Sequence, residues 1–183
     1  MANGSLFVIS GPSGAGKGTL VHRVLDLVPN TWVSISATTR EPRTGEVDGV
    51  DYQFMTDAEF EHVIEAGGFV EWARVHSHYY GTPVAPIEGA LEAGKTVLLE
   101  IDVQGGFQVK EKLPQARLVF IAPPSMEVLE RRLRKRGTDS EETIAQRMAN
   151  AVGEMEASAR YDVRIVNDDL DKATEALVEV IES

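Results

Sequence analysis

Gly11-Pro12-Ser13-Gly14-Ala15-Gly16-Lys17-Gly18-Thr19 follows the apolar run Leu6-Phe7-Val8-Ile9 and precedes Leu20, Val21, Val24, Leu25 and Val28, which recur at helical spacing. The order is strand, glycine loop, helix. The glycines permit a turn tight enough for successive backbone N–H groups to converge, and the helix start adds about half a positive charge at the same point. Such a hollow suits an anion. Lys17 adds a mobile cation able to follow phosphate groups as they separate, and Thr19 offers a hydroxyl to phosphate or to Mg²⁺. The pattern G-x-x-x-x-G-K-[ST] is met except at its last position, where Gly18 stands and the hydroxyl falls one residue later. Residue 18 therefore has no side-chain hydroxyl to give a metal, and coordination through water is the expectation. A glycine-rich turn that binds nothing would need neither the buried-type strand nor the amphipathic helix.

At 183 residues the chain is the size of one domain. Hydrophobic residues at 43% and charged residues at 26% fit a globular class, and the absence of cysteine excludes disulfides and thiolate metal sites. A core strand begins close to the N-terminus, and no apolar run reaches the ~18 residues of a membrane span. A cytoplasmic address, without membrane contact, is the expectation. The net charge of −11 repels polyanions such as nucleic acid. A small anionic ligand responds instead to charges within ~8–10 Å, so local arginines outweigh the total.

Onward from the loop, Trp32-Val33-Ser34-Ile35-Ser36 reads as a second strand. Residues 37–51 are rich in turn formers and charge, a long loop of the kind that is usually functional. Thr56 and Glu59 form a capping box for a short helix, and Phe69 to Val75 alternates like an antiparallel strand. Pro83 opens a helix that stops at Gly94. Thr96 to Ile101 is a near-continuous apolar run ending in Asp102, Leu118 to Ala122 is another, and Val163 to Val166 is the last strand before a C-terminal helix. Asp139 and Glu142 suggest a cap for the helix that carries Arg147. Strands alternating with helices predict an α/β domain with a mostly parallel sheet, its ligand lying beyond the carboxyl ends of the strands. Ser10, Ser36, Asp102 and Asn167 fall at such ends.

Lys17 and Asp102 then form the two halves of a nucleotide–magnesium site, a buried strand delivering one carboxylate to the metal or its water shell, with Glu100 on the same face. An acid in that position also serves as a helix cap. Phosphoryl transfer needs in-line positioning and positive charge on the moving group, and two phosphorylated substrates repel each other. The chain supplies two sets of cations: Arg40 and Arg43 in the long loop, and Arg132, Arg136 and Arg147 later. Arginine's planar fork grips phosphate oxygens bidentately. Helical spacing sets Arg131, Arg134 and Lys135 off the face of Arg132 and Arg136, as solvated side chains. His76 and His78 lack a third metal ligand and read as surface residues.

Together with the glycine loop, Ser36 to Glu46, Asp51-Tyr52-Gln53-Phe54, Phe69-Val70-Glu71-Trp72-Ala73, Tyr79-Tyr80-Gly81-Thr82, Ile101 to Gly105, Ile121 to Ser125, Arg136-Gly137-Thr138 and Val166 to Asp169 resemble guanylate kinases, in order and over almost the whole chain. Gly-Lys-Gly-Thr at residues 16–19 is similar to the loop of adenylate kinases. The resemblance implies a three-layer P-loop kinase fold with a mostly parallel five-stranded sheet, an inserted GMP-binding subdomain containing antiparallel strands, and a helical lid. Its expected divisions are a core of residues 1–35, 83–124 and 161–183, an insert of 36–82 and a lid of 125–160, all in one domain.

The resemblance further implies ATP as donor, GMP and also dGMP as acceptor, and Mg²⁺ as cofactor. Lys17, Arg40, Arg132, Arg136 and Arg147 would be catalytic. Gly11, Pro12, Ser13, Gly14, Ala15, Gly16, Lys17, Gly18 and Thr19 would hold ATP phosphates, with Asn167 beside adenine. Arg40, Arg43, Tyr52 and Tyr80 would hold the GMP phosphate. Glu71 would accept from guanine N1–H and the 2-amino group, Ser36 and Thr82 would address O6, and Glu46, Glu100 and Asp102 would complete the acceptor site. Thr19 and Asp102 would serve the metal through water. Adenine lacks both donors that Glu71 would need, and a site built on a required hydrogen bond discriminates by roughly 10⁴ or more.

Overall fold

The structure, a computed structural model, describes residues 4–75, 77–137 and 139–183. Strand β1 (Ser5–Ser10) leads through the glycine loop into helix α1 (Lys17–Leu27), then β2 (Thr31–Val33). The insert follows: β3 (Ala37–Thr38), β4 (Gln53–Phe54), α2 (Asp57–Glu65), β5 (Phe69–Val75) and β6 (His78–Pro83). The chain then returns through α3 (Val84–Glu92), β7 (Thr96–Glu100), α4 (Val103–Lys112), β8 (Arg117–Ala122), α5 (Met126–Arg136), α6 (Glu141–Ala157), a 3₁₀ turn (Ser158–Arg160), β9 (Val163–Val166) and α7 (Leu170–Glu182).

The main sheet has the order β2-β7-β1-β8-β9, and every pairing in it is parallel. Because β1, β7 and β8 are buried on both faces, they are apolar at nearly every position, as parallel strands under two helical layers must be. Alternate residues divide between the layers. Phe7 and Ile9 pack with Leu20, Val21 and Val24 of α1 and Leu177 of α7, while Leu6 and Val8 face Ile87 of α3 and Val109 of α4. β1 lies between β7 and β8, so the loop that leaves its carboxyl end opens at the switch point of the sheet.

The expected second strand stops early. β2 ends at Val33, and Ser36 already belongs with the insert, its carbonyl accepting from the Gln53 N–H at 2.9 Å. Ser36 therefore reaches the crevice from the second sheet, whose order is β4-β3-β6-β5. That sheet is mixed, with β3 and β4 parallel and the other two pairings antiparallel. The cap of α6 also differs: Ser140 accepts from the Thr143 N–H, while Asp139 forms an ion pair with Arg147 at 3.3 Å. The capping box of Thr56 and Glu59 forms on α2 as expected. Of the residues read from the sequence, His76 and Thr138 lie outside the described residues. Among the described residues no helix is long and apolar enough to cross a membrane.

Leu20 is fully buried where α1 meets the sheet. Leu20→Ala should cost about 2–5 kcal/mol of folding stability, and urea denaturation monitored by circular dichroism checks it.

Candidate active site

The glycine loop is shaped by what touches it. Gly11, at φ 146°, lies against the Ile121 carbonyl, which an ideal Cβ would meet at 2.2 Å. Gly16, at φ 95°, caps α1, and a Cβ there would meet Asn167 Nδ2 at 2.4 Å. Neither position admits a side chain. Asn167 is buried, its amide donating to the Ala15 carbonyl at 2.8 Å, and its own carbonyl accepts from Arg132 at 2.8 Å. The side chain expected beside adenine supports the loop.

Lys17 Nζ donates to the carbonyls of Gly11 at 2.6 Å and Pro12 at 3.1 Å. Burial pushes its ammonium below the usual lysine range, and the negative charges of Glu100, Glu154 and Asp102 oppose that shift. A hollow of about 450 Å³ lies above the loop, lined by Ser13, Lys17, Gly18, Thr19, Glu100, Arg132 and Arg136. From α6, Arg147 reaches across to donate to Ser13 Oγ at 2.6 Å. The cations read from the later basic segment therefore converge on the loop, as spacing suggested. Arg134 is instead paired with Glu130 and Glu141 on the surface.

Glu100 and Asp102 part company. Glu100 lines the phosphate-side hollow, and its carboxylate oxygens lie 3.5 Å from where a Cβ on Gly18 would stand. Asp102 caps α4, its Oδ1 accepting from the Gly105 N–H at 2.8 Å, and lines the neighbouring cavity. Both readings of that acid, helix cap and site residue, are compatible with its position.

The neighbouring cavity, about 270 Å³, is lined by Ser36, Tyr52, Glu71, Tyr80, Glu100 and Asp102 among others. Glu100 is common to both cavities. Glu71 is 8% exposed and accepts from Thr82 Oγ1 at 2.5 Å, Thr82 itself being wholly buried. Burial pushes the Glu71 carboxyl up, and the Thr82 hydrogen bond opposes the rise. Outside the lining, Arg40 pairs with Glu46 Oε1 at 2.8 Å and lies 5.5 Å from the Tyr52 ring centre, while the Arg43 N–H donates to Glu46 Oε2 at 2.7 Å. Both oxygens of Glu46 are thus committed to its own loop. Asp48 and Asp51 likewise accept backbone N–H groups of Phe54 and Val47, which orders a loop that its sequence left free.

Sequence reasoning missed Glu154. It faces Lys17 from α6, half-buried, and burial pushes its carboxyl up while the Lys17 charge holds it down. The signal was available: Glu154 follows Arg147 by seven residues, two helical turns on one face.

Because the folded protein raises the Glu71 pKa, it binds that proton more tightly than the unfolded chain does. The burial cost is therefore absent below the unfolded value of 4.5 and complete above the raised one. Glu71→Gln should increase the Tm near pH 8, and the gain should fade as pH falls to about 4, which thermal melts across that range check.

Residues 3–183 match the family model described as guanylate kinase. A guanylate kinase of Synechocystis sp. is 54% identical over 97% of this chain and 93% of its own length. One from Helicobacter pylori is 48% identical over 96% of this chain and 85% of its own length. The crystal structure of guanylate kinase from Anaplasma phagocytophilum superposes with a TM-score of 0.79 at 31% identity, covering 99% of this chain and 86% of that one. In this chain Arg132, Arg136 and Arg147 reach the glycine loop, and beside it lies a cavity with one buried carboxylate. The chain belongs to the guanylate kinase family.

Proposed function

We propose that this chain carries out the guanylate kinase reaction, the ATP-dependent phosphorylation of GMP to GDP, with donor and acceptor meeting across Glu100. The observation that carries this reading is the pair of adjoining cavities, one walled by Lys17 and arginines, the other by Glu71. The donor's phosphates take the place of the Gly11 and Pro12 carbonyls at Lys17, because an anion is the stronger partner for a desolvated ammonium. Arg132, Arg136 and Arg147 stabilise charge on the moving phosphoryl group. Arg40, Arg43, Tyr52 and Tyr80 hold the acceptor phosphate.

Glu71 accepts from guanine N1–H and the 2-amino group, with Ser36 toward O6. Thr82, expected at O6, instead gives its one hydroxyl proton to a Glu71 oxygen, which leaves the carboxylate oriented before the base arrives. Residues 36–82 form the acceptor insert and residues 125–160 the lid, and their approach to the core of residues 1–35, 83–124 and 161–183 excludes water that would otherwise hydrolyse ATP.

The oxygen donors at the hollow suit Mg²⁺. The ion keeps several waters and takes one or two carboxylates together with substrate phosphates, so it needs no cluster of three protein acids, and none occurs among the described residues. Thr19, Glu100 and Asp102 would hold it through water; when bound it neutralises charge between the phosphates. The Gly18 position adds no ligand.

Lys17→Met should lower kcat at least about 100-fold in a coupled ADP-release assay with ATP, Mg²⁺ and GMP; near-normal turnover would remove Lys17 from the mechanism. In the same assay GMP should be used far better than AMP or UMP at equal concentration. An AMP preference would overturn the role given to Glu71.

A further inference from the structure

Helix α4 begins at the cap Asp102 and then runs alongside β5, the strand that carries Glu71. β5 is an edge strand, so its outer backbone groups have no neighbouring strand. Two side chains of α4 occupy them. Gln108 exchanges hydrogen bonds with the Trp72 N–H and carbonyl, both at 3.3 Å, and Lys112 donates to the Phe69 carbonyl at 3.0 Å. Gly105, Gln108 and Lys112 follow at three and four residues, one face of the helix. Phe69 and Trp72 bracket Glu71, and opposite Glu71 stands Gly105.

Gly105 has no backbone need to be glycine. It lies within α4 and outside the left-handed region, and glycine is a poor helix residue. What it leaves out is volume. An ideal Cβ would lie 3.0 Å from Glu71 Oε2, 3.3 Å from its carboxyl carbon and 3.3 Å from Ile101 Cδ1, tighter than a methyl group usually rests, so the carboxylate would have to give by a few tenths of an ångström. The position cannot slide away, because the Gly105 N–H is bonded to Asp102 Oδ1 at 2.8 Å. The other Glu71 oxygen is bonded to Thr82, so the carboxylate can yield only toward the cavity it lines.

We propose that Gly105 is a positioning residue for acceptor specificity: its missing side chain sets how far the Glu71 carboxylate is seated against α4, and hence where it meets the base. This rests on the role given above to Glu71. The same helix carries Asp102 at its start, so the base-recognising carboxylate is held in register with the end of β7 by one rigid element.

The test compares the parent, Gly105→Ala, Glu71→Gln and the double variant, using GMP and inosine monophosphate, which keeps N1–H but lacks the 2-amino group. Gly105→Ala should raise the KM for GMP about fivefold and lower the GMP-to-inosine-monophosphate ratio of kcat/KM, since displacements of well under 1 Å at a recognition site already cost severalfold. The KM for ATP should hold, and the Tm should not fall, because alanine favours the helix. In the Glu71→Gln background the alanine should leave the acceptor ratio where Glu71→Gln alone puts it. If Glu71→Gln lowers the ratio and Gly105→Ala does not, or if the two effects simply multiply, the proposal is overturned while the role of Glu71 stands. If Glu71→Gln leaves the ratio at the parent value, the role of Glu71 fails and the proposal with it. A lowered Tm with both acceptors equally impaired would make Gly105 a packing residue and overturn the proposal.

Discussion

The glycine loop can present its amides to one point only because other segments hold it from outside. The Ile121 carbonyl stands behind Gly11, the Asn167 amide grips the Ala15 carbonyl beneath Gly16, and Arg147 reaches Ser13 from α6. A loop of this composition would be mobile in isolation, since glycine loses more conformational freedom on ordering than any other residue. Here the ends of β8 and β9 and the helix α6 supply the constraint, and Lys17 ties the Gly11 and Pro12 carbonyls together. Much of the structure acts as a frame for that turn.

The frame also resolves an electrostatic difficulty. A chain of net charge −11 repels polyphosphates at long range, yet its candidate donor site gathers Lys17, Arg132 and Arg136 in one hollow, with Arg147 bonded to Ser13 of its lining. In a partly desolvated cleft each of those charges acts more strongly than it would in water. The acids Glu100, at the wall, and Glu154 oppose the fall that burial imposes on the Lys17 ammonium. Around the neighbouring cavity the opposite arrangement holds, with a single buried carboxylate, Glu71, in its lining.

The two sides are joined through α4. It starts at the end of β7, whose last residue Glu100 is shared by both cavities, and it clasps β5 along its length. The insert is therefore continuous with the core along one edge, while the loop of Arg40 and Arg43 is held together chiefly by its own acids, Glu46, Asp48 and Asp51.

The sequence by itself determined the alternation of strands and helices, the glycine loop and its lysine, the separation of Arg132 and Arg136 from Arg131 and Arg134, and the capping box of α2. These depend on local spacing and on burial on both faces of the central strands, which a one-dimensional pattern records directly. Only the tertiary structure decided that Glu100 and not Asp102 sits against the phosphate loop, that Asn167 supports the loop, that Glu46 spends both oxygens on its neighbours, and that Gly105 leaves room for Glu71. Each of these is a contact between residues on different segments, or a side chain's choice among several hydrogen-bond partners. Such choices are fixed by distance in the folded chain, on which spacing along the sequence is silent.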